Sequence, residues 1–391
     1  MCCFSNKPLL DKELKMAPST IAFIGDLHLS FTIWESRREI TGDSDLGLSE
    51  ILEVCKSRGI RDLILPGDIF DSPDPHPALV YKFRDFVERA LAQGTSVSFI
   101  QGNHDKRVLS WGQAVSGDAH WIGDGQLREI SGTAIRAFDY TSRDDLAAKL
   151  AEVGSNGVPS EVIVMHQACK QYLDIEGCWS LDLDWVPELA GDIVMSDIHE
   201  PWGGPRSGTR WAGYTGAMTT RSINEARHPK SVLLRHPGGV FERVPIRSRS
   251  ICQFAMTLEN SQGLLPSIRE FIKHADANQE VTKLPGVIYI TYDNSIVSAP
   301  EIIGDVIKAA KSDVFVVSKF TGSQKAEITF DPSVAAEGVP EISTFVSGFL
   351  KPEDDPRAHG LALDLLDGTQ GKEGIVAKIE SARQRFLQES A

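Results

Sequence analysis

Residues 21–28, Ile21-Ala22-Phe23-Ile24-Gly25-Asp26-Leu27-His28, join a short apolar run to two side chains that can hold a metal. An apolar run of this length reads as a strand buried on both faces, and the glycine ends it. The same pairing recurs downstream. Leu63–Leu65 leads into Pro66-Gly67-Asp68, and Val97–Ile100 into Gln101-Gly102-Asn103-His104-Asp105. Val162–Met165 leads into His166-Gln167, and Ile193–Met195 into Ser196-Asp197-Ile198-His199. Amphipathic segments lie between these runs. One spans about Asp45 to Ser57 and stops at Gly59; another follows Pro77 and stops at Gly94. A third starts at the capping-box-like Ser142-Arg143-Asp144-Asp145 and continues to Val153. Strands alternating with helices predict an α/β layered domain.

In such domains the carboxyl ends of the strands open into one crevice. Asp26, His28, Asp68, Asn103, His104, His166 and His199 are therefore expected to converge, although they are far apart in sequence. Singly, each motif is weak: a Gly-Asp after a strand is usually a turn, and a lone His is more often a core or surface residue. Five motifs in register, all at strand ends, point to one site. Mixed carboxylate, imidazole and amide ligands suit Mn²⁺, Fe or Zn²⁺, and the lack of Cys disfavours a structural zinc. A bridging carboxylate holds two ions roughly 3.5–4 Å apart, where both clamp one phosphoryl group and an activated water. The pattern predicts a two-metal phosphoesterase.

The order D-x-H, G-D, G-N-H-D, H, x-x-H resembles the calcineurin-like metallophosphoesterase superfamily. Gly67-Asp68-Ile69-Phe70-Asp71, Gly102-Asn103-His104-Asp105, Met165-His166-Gln167 and Asp197-Ile198-His199-Glu200-Pro201 most resemble the SbcD-type nucleases within it. The motif resemblance covers roughly residues 20–250. It implies a four-layer αββα sandwich, followed by a small α+β capping domain and C-terminal helices. It implies one ion on Asp26, His28, Asp68 and His199, and a second on the bridging Asp68 with Asn103, His166 and position 197. His104 would protonate the leaving 3′ oxygen, with Asp105 orienting it. A His beside a carboxylate is a suitable proton donor near neutral pH. The chain departs from the family at its last motif, with Ser196-Asp197-Ile198-His199 where G-H-x-H is usual. Asp197 as ligand brings a negative charge and a harder oxygen, favouring Mn²⁺ or Mg²⁺.

The resemblance further implies a Mn²⁺-dependent DNA nuclease with two ions per chain, exonucleolytic on duplex ends and endonucleolytic on single strands. Its partners would be an SbcC-type, SMC-like ATPase and a second copy of the chain, joined through helices near Pro77–Gln93 and Lys106–Ala114. The same site could instead serve a phosphatase or phosphodiesterase acting on a protein, nucleotide or other small molecule. A third alternative is a non-catalytic assembly subunit with an idle site.

A length of 391 residues suits more than one core. The expected organisation is an arm (1–17), the metallophosphoesterase domain (18–250), a capping domain (251–335) and C-terminal helices (336–391). In the capping domain Ile251–Leu258, Val287–Tyr292 and Val314–Phe320 read as strands, with Lys325–Phe330 as a further one. Helical patterns lie near Leu265–His274 and Pro300–Lys311. A polar linker, Lys351 to Gly374, separates two amphipathic segments that would form the docking site for the ATPase.

The net charge of −14 argues against a simple nucleic-acid-binding module. Residues 201–250 nevertheless carry nine Arg and Lys against only Glu225 and Glu242. Arg206, Arg210 and Arg221 are candidates for contact with DNA phosphates; a solvated sheet is the competing assignment. Trp179, Trp185, Trp202 and Trp211 either stack on bases or fill a core. No apolar run approaches the roughly 20 residues of a membrane helix. Lys7, Asp11, Lys12, Glu13 and Lys15 interrupt any signal-peptide core, and the six cysteines lack C-x-x-C pairing. A cytoplasmic protein with free thiols is expected.

Overall fold

Alternation along the first strand sets the layering. The computed structural model describes residues 18–321, apart from 35–36, 107–117, 157, 174, 176, 188–189, 208–209, 258–259, 261–262, 294–295, 297 and 311–313. In β1 (Ile21–Phe23) the side chains of Ile21 and Phe23 join one apolar cluster and Ala22 another, all fully buried. β2 (Asp62–Pro66) repeats this, with Ile64 on the first side and Leu63 and Leu65 on the second. Strands buried on both faces need no polar alternation, which is why they read as plain apolar runs.

The first sheet also contains β3 (Ser96–Ile100), β4 (Ala119–Trp121), β11 (Ser231–Arg235) and β12 (Phe241–Pro245), in the order β12-β11-β1-β2-β3-β4. Its outer face is covered by α1 (Asp43–Arg58) and α2 (Pro77–Ala92), whose Ile51, Leu52, Phe83 and Phe86 pack on Leu63, Leu65, Val97 and Phe99. The second sheet comprises β5 (Asp124–Ile130), β6 (Thr133–Phe138), β7 (Ser160–His166), β8 (Ala190–Ser196), β9 (Trp202–Ser207) and β10 (Arg210–Tyr214), in the order β5-β6-β7-β8-β10-β9. On its outer face, α3 (Arg143–Ser155) sets Leu146, Leu150 and Val153 against Ile163, Met165 and Ile193. The inner faces meet through Ile21, Phe23, Ile64 and Ile100 from one sheet and Ile135, Val162, Val164 and Val194 from the other. This is the four-layer αββα sandwich that the resemblance implies.

A third, all-parallel sheet follows: β13 (Ile251–Ala255), β14 (Gly286–Tyr292) and β15 (Val314–Phe320), with α4 (Leu264–Thr282) and α5 (Ala299–Ala310) as crossovers. Ile268, Ala275 and Val306 of the helices cover Ile288 and Ile290. Its other face lays Val287, Tyr289 and Val317 on Ile33, Trp34 and Ile40 of the segment between β1 and α1. All three sheets belong to one compact unit. The expected arm, the strand at Lys325–Phe330, both C-terminal helices and residues 107–114 of the second dimer helix lie outside the described residues.

Arg249 ties the third sheet to the first two. Its guanidinium is buried and donates to both oxygens of Asp43 (2.9 and 2.8 Å), to Thr41 O (2.5 Å) and to Pro285 O (2.5 Å). An Arg249→Ala chain leaves the buried Asp43 carboxylate alone. Such a broken pair typically costs about 3–5 kcal/mol. A urea midpoint unchanged from the parent would refute this role.

Candidate metal centre

The two sheets bring their strand ends to one edge of the sandwich. Asp26 and His28 follow β1, Asp68 follows β2, and Asn103 and His104 follow β3. His166 ends β7, while Asp197 and His199 follow β8. Six non-glycine residues have positive φ among the described residues, and four of them are here: Asp26 (48°), His28 (40°), Asp68 (50°) and Asp197 (99°). Backbone held in this region is strained and clusters at functional sites. Two glycines make the approach of the loops possible. A Cβ on Gly67 would lie 2.5 Å from the His166 ring, and one on Gly102 would lie 2.0 Å from Asp68 Oδ1.

Asp68 occupies the centre. Its Oδ1 accepts the His104 backbone N–H at 2.9 Å, while Oδ2 lies 3.4 Å from His28 Nε2 and 3.4 Å from His166 Nε2. On one side, His28 Nε2 and His199 Nε2 stand 3.1 Å apart, with a carboxylate oxygen of Asp26 completing the cluster. Two nitrogens bound to one ion at about 2.1 Å are themselves roughly 3.0–3.4 Å apart, so this spacing fits a shared cation. On the other side, His166 Nε2 is 3.0 Å from Asn103 Oδ1 and 3.6 Å from Asp197 Oδ1. Both expected ligand sets are thus brought together, with Asp68 between them. These His and Asp clusters form a site suited to two metal ions.

Neighbouring groups fix which ring nitrogens face the centre. His166 Nδ1 donates to Pro66 O at 2.9 Å, and His199 Nδ1 donates to Glu225 Oε1 at 3.1 Å, so both present Nε2 to the centre. Asp26 accepts from Ser196 Oγ at 2.7 Å and from the Asp197 N–H at 3.2 Å. Burial, above all, pushes His28 down to about 3, which keeps its ring neutral. Burial also works against a charge on His166, yet Asp68, Asp26 and Asp197 outweigh it and raise this ring to about 10. Without a cation, the cluster of acids therefore holds a proton on His166 at neutral pH. A divalent ion must displace that proton. Mn²⁺ binding near neutral pH is expected to release about one proton per chain, with affinity falling as the pH drops. Calorimetry in two buffers of different ionisation enthalpy measures the release, and a value of zero would contradict it.

His104 stands at the mouth, with 42% of its side chain exposed and its ring edge-on to His28 at 5.0 Å. Its Nδ1 donates to the Asp71 carbonyl at 3.0 Å, leaving Nε2 unengaged by this contact. The expected orienting residue, Asp105, is employed differently. One of its oxygens accepts from Ile69 N at 2.7 Å and the other from Gly102 N at 2.6 Å, so it staples the Asp68 loop to the His104 loop. Burial first, then Asp68, pushes its carboxyl up to about 7. The group that holds the His104 ring is therefore a backbone carbonyl, to which sequence gives no clue.

Two further participants went unassigned in the sequence. Asp71 lies 3.4 Å from His28 Nδ1 and 3.7 Å from His104 Nδ1, and pairs with Arg221. Glu225 orients His199 and accepts the Arg221 N–H at 2.9 Å. Its signal was an acid standing inside a basic run. Partners that orient a ligating His typically contribute 10–100-fold to metal affinity. Glu225→Gln is expected to weaken Mn²⁺ binding by about that factor, and an unaltered Mn²⁺ isotherm would exclude the role.

Several cations of the basic stretch are engaged within the protein. Lys230, Arg235 and Arg249 are buried, and Arg235 pairs with Asp192. Arg243 donates to the carbonyls of Trp202, Tyr214 and Thr215, and Arg247 pairs with Glu50. Of the DNA-contact candidates, Arg221 reaches the centre, where its guanidinium lies 2.8 Å from His28 Nδ1. Arg206 and Arg210 lie near the ends of β9 and β10 remote from Thr215, whose hydroxyl touches Gly25 N. The tryptophans pack: Trp202 and Trp185 border the second-sheet core, Trp211 stacks on Phe241 at 4.1 Å, and Arg143 covers Trp179. Among the described residues, Cys55, Cys169, Cys178 and Cys252 are free, and no helix is long and apolar enough to cross a membrane.

Residues 19–236 match the family described as calcineurin-like phosphoesterase. A curated relative, the DNA double-strand break repair protein Mre11 of Sulfurisphaera tokodaii, is 22% identical over 285 residues, covering 68% of this chain and 72% of its own. Among solved structures, a dimetal phosphatase from Danio rerio aligns with a TM-score of 0.38 at 11% identity, over 56% of this chain and 93% of its own. Vps29 of Chaetomium thermophilum aligns at 0.27 and 11% identity, over 59% and 95%.

Proposed function

The chain belongs to the calcineurin-like phosphoesterase family and is a metal-dependent hydrolase, and we propose that it is a two-metal phosphodiesterase. The observation that carries this is the position of Asp68 Oδ2, equidistant from the ligating nitrogens of both sets. When bound, a divalent pair supplies Lewis-acid polarisation of the phosphoryl group and a water of lowered pKa. Asp26, His28, Asp68 and His199 would hold one ion, and Asp68, Asn103, His166 and Asp197 the other. His104, fixed through Nδ1, holds a proton at Nε2 for the departing oxygen. Asp105 keeps the loops of the bridge and the acid in register. Three carboxylates, Asp26, Asp68 and Asp197, favour hard ions, so Mn²⁺ or Mg²⁺ is the proposed metal.

The test uses the full chain with Mn²⁺ and bis-p-nitrophenyl phosphate. Metal-dependent release of p-nitrophenolate is expected, and a chain that cleaves only the monoester would be a phosphatase.

A narrower substrate, DNA, is favoured by the similarity to the Mre11 repair protein. That similarity covers 68% of this chain, about 266 residues, whereas the family region 19–236 holds 218, so it extends into the third sheet or the flanking segments. On this second reading the chain is a DNA-end nuclease whose residues 336–391 bind an SMC-like ATPase. It would pair with a second copy through α2, which leaves Tyr81 and Leu91 exposed. Linear DNA left intact by a chain that cleaves the small diester would exclude it.

A further inference from the structure

The ligands of the second ion come from both sheets of the sandwich. Asn103 follows β3 of the first sheet, whereas His166 ends β7 and Asp197 follows β8 of the second. Stacked sheets lie about 10 Å apart and share no ladder hydrogen bonds, so a coordination sphere that spans them needs a tie at their common edge. Asp139 supplies one. It follows β6, whose Phe138 pairs with Met165 of β7, and so stands level with His166. Its carboxylate reaches across to the first sheet. Oδ1 accepts the Gln101 N–H at 2.7 Å, Oδ2 accepts from the Gln101 side-chain amide at 3.2 Å, and the Trp121 indole N–H lies 3.0 Å from each oxygen. The backbone closes the same junction, with Tyr140 N–H donating to Gln101 O at 2.8 Å and Asp139 N–H to Gly123 O at 3.0 Å. Gly123 leaves the carboxylate its room, since a Cβ at this position would run into Asp139 Oδ1.

We propose that Asp139 is a positioning residue for the second metal ion, clamping Gln101, and through it Asn103, to the sheet that carries His166. Gln101 stands two residues before Asn103, whose Oδ1 lies 3.0 Å from His166 Nε2. Two other anchors of this loop belong to the first sheet: Asp105 accepts the Gly102 N–H and Asp68 the His104 N–H. They set the loop against Asp68, and the Asp139 clamp sets it against the second sheet. The first ion has a separate tie between the sheets, because Asp26 accepts from Ser196 Oγ and the Asp197 N–H. Loss of the clamp therefore loosens the second ion and spares the first. A carboxylate is needed here: three N–H groups converge on its two oxygens, and an asparagine would turn an NH₂ toward at least one of them. The proposal rests on the two-metal reading and adds the group that keeps the two halves of the second ligand set together.

Metal binding tests this independently of turnover. The full chain is titrated with Mn²⁺ while electron paramagnetic resonance counts the free ion. Asp139→Asn is expected to weaken one of two sites about tenfold, the lower end of the effect of groups that orient metal ligands, and to leave the other unchanged. On bis-p-nitrophenyl phosphate its kcat should fall at limiting Mn²⁺ and recover as Mn²⁺ is raised, with KM unaltered. Gly123→Ala keeps the charge but displaces the carboxylate, and should give the same pattern. If either variant fails to fold, Trp121→Phe removes only the indole donor and should weaken the same site by a smaller factor. A carboxylate that merely steadies the fold would lower the melting temperature and leave both Mn²⁺ affinities as in the parent; that result, or equal weakening of both sites, overturns the proposal. A parent chain with a single ion that Asp139→Asn weakens keeps the clamp and rejects the two-metal reading, whereas a single ion indifferent to Asp139→Asn overturns both. Two ions, one of them weakened as expected, in a chain that cleaves no diester keep the clamp and reject only the phosphodiesterase.

Discussion

An Asp68→Asn chain is expected to hold one Mn²⁺ at saturation instead of two, and to lose at least about 10³-fold in kcat/KM on bis-p-nitrophenyl phosphate. Asp68 has no spare oxygen: Oδ1 accepts the His104 N–H, and Oδ2 alone faces both His28 and His166. An amide there keeps one neutral acceptor or turns an NH₂ toward the cation, and the bridge loses its charge. Lewis-acid stabilisation by a metal ion contributes several kcal/mol to the transition state, and each 1.4 kcal/mol is tenfold in rate. The substitution also removes the leading carboxylate that keeps a proton on His166, so that ring should drop from its raised value. Metal content by mass spectrometry and steady-state kinetics read the two effects. Two ions retained at full rate would end the bridging assignment; a parent chain with one ion would end the two-metal site itself.

The second large effect depends on the leaving group. His104→Ala is expected to slow cleavage of a diester with an alkoxide leaving group by about 10²–10⁴-fold, the usual range for general acid catalysis. Bis-p-nitrophenyl phosphate, whose phenolate departs without a proton, should lose less than about tenfold. Linear DNA and the chromogenic diester make the comparison. An equal loss on both would make His104 a binding group, and no loss on either would point to an idle scaffold. The Asp71 carbonyl that fixes Nδ1 survives any side-chain change at position 71. Asp71→Asn should therefore leave the leaving-group dependence in place.

The parts of the fold legible in sequence were those whose environment is uniform. β1, β2, β3, β7 and β8 lie between packed faces and so print as apolar runs, with their ligands directly after them. β5, Asp-Gly-Gln-Leu-Arg-Glu-Ile, is an exposed edge with no buried residue, and β9, Trp-Gly-Gly-Pro-Arg-Ser, carries glycine and proline where strands rarely do. Nothing in their composition sets them apart from loops. The residues that converge on the candidate centre were legible because each sits at a strand end. Asp71 and Glu225 were not, since their contacts arise between loops. Charge counted along a chain likewise says nothing about which guanidiniums are spent on carboxylates and carbonyls, as those of Arg235, Arg243 and Arg249 are.

The left-handed backbone at Asp26, His28, Asp68 and Asp197 has a practical corollary for trapping complexes. Of the side chains that tolerate this conformation, asparagine combines the shape of aspartate with no charge, whereas alanine and the β-branched residues are penalised there. A silent chain for capturing an intact substrate is thus best made with Asp→Asn replacements at 68 and 197. An alanine scan of the same positions would confound lost chemistry with a loop that no longer closes, and a library screened for folded chains, not for activity, should retain Asn, Asp, His or Gly at these four sites far more often than Val, Ile or Thr.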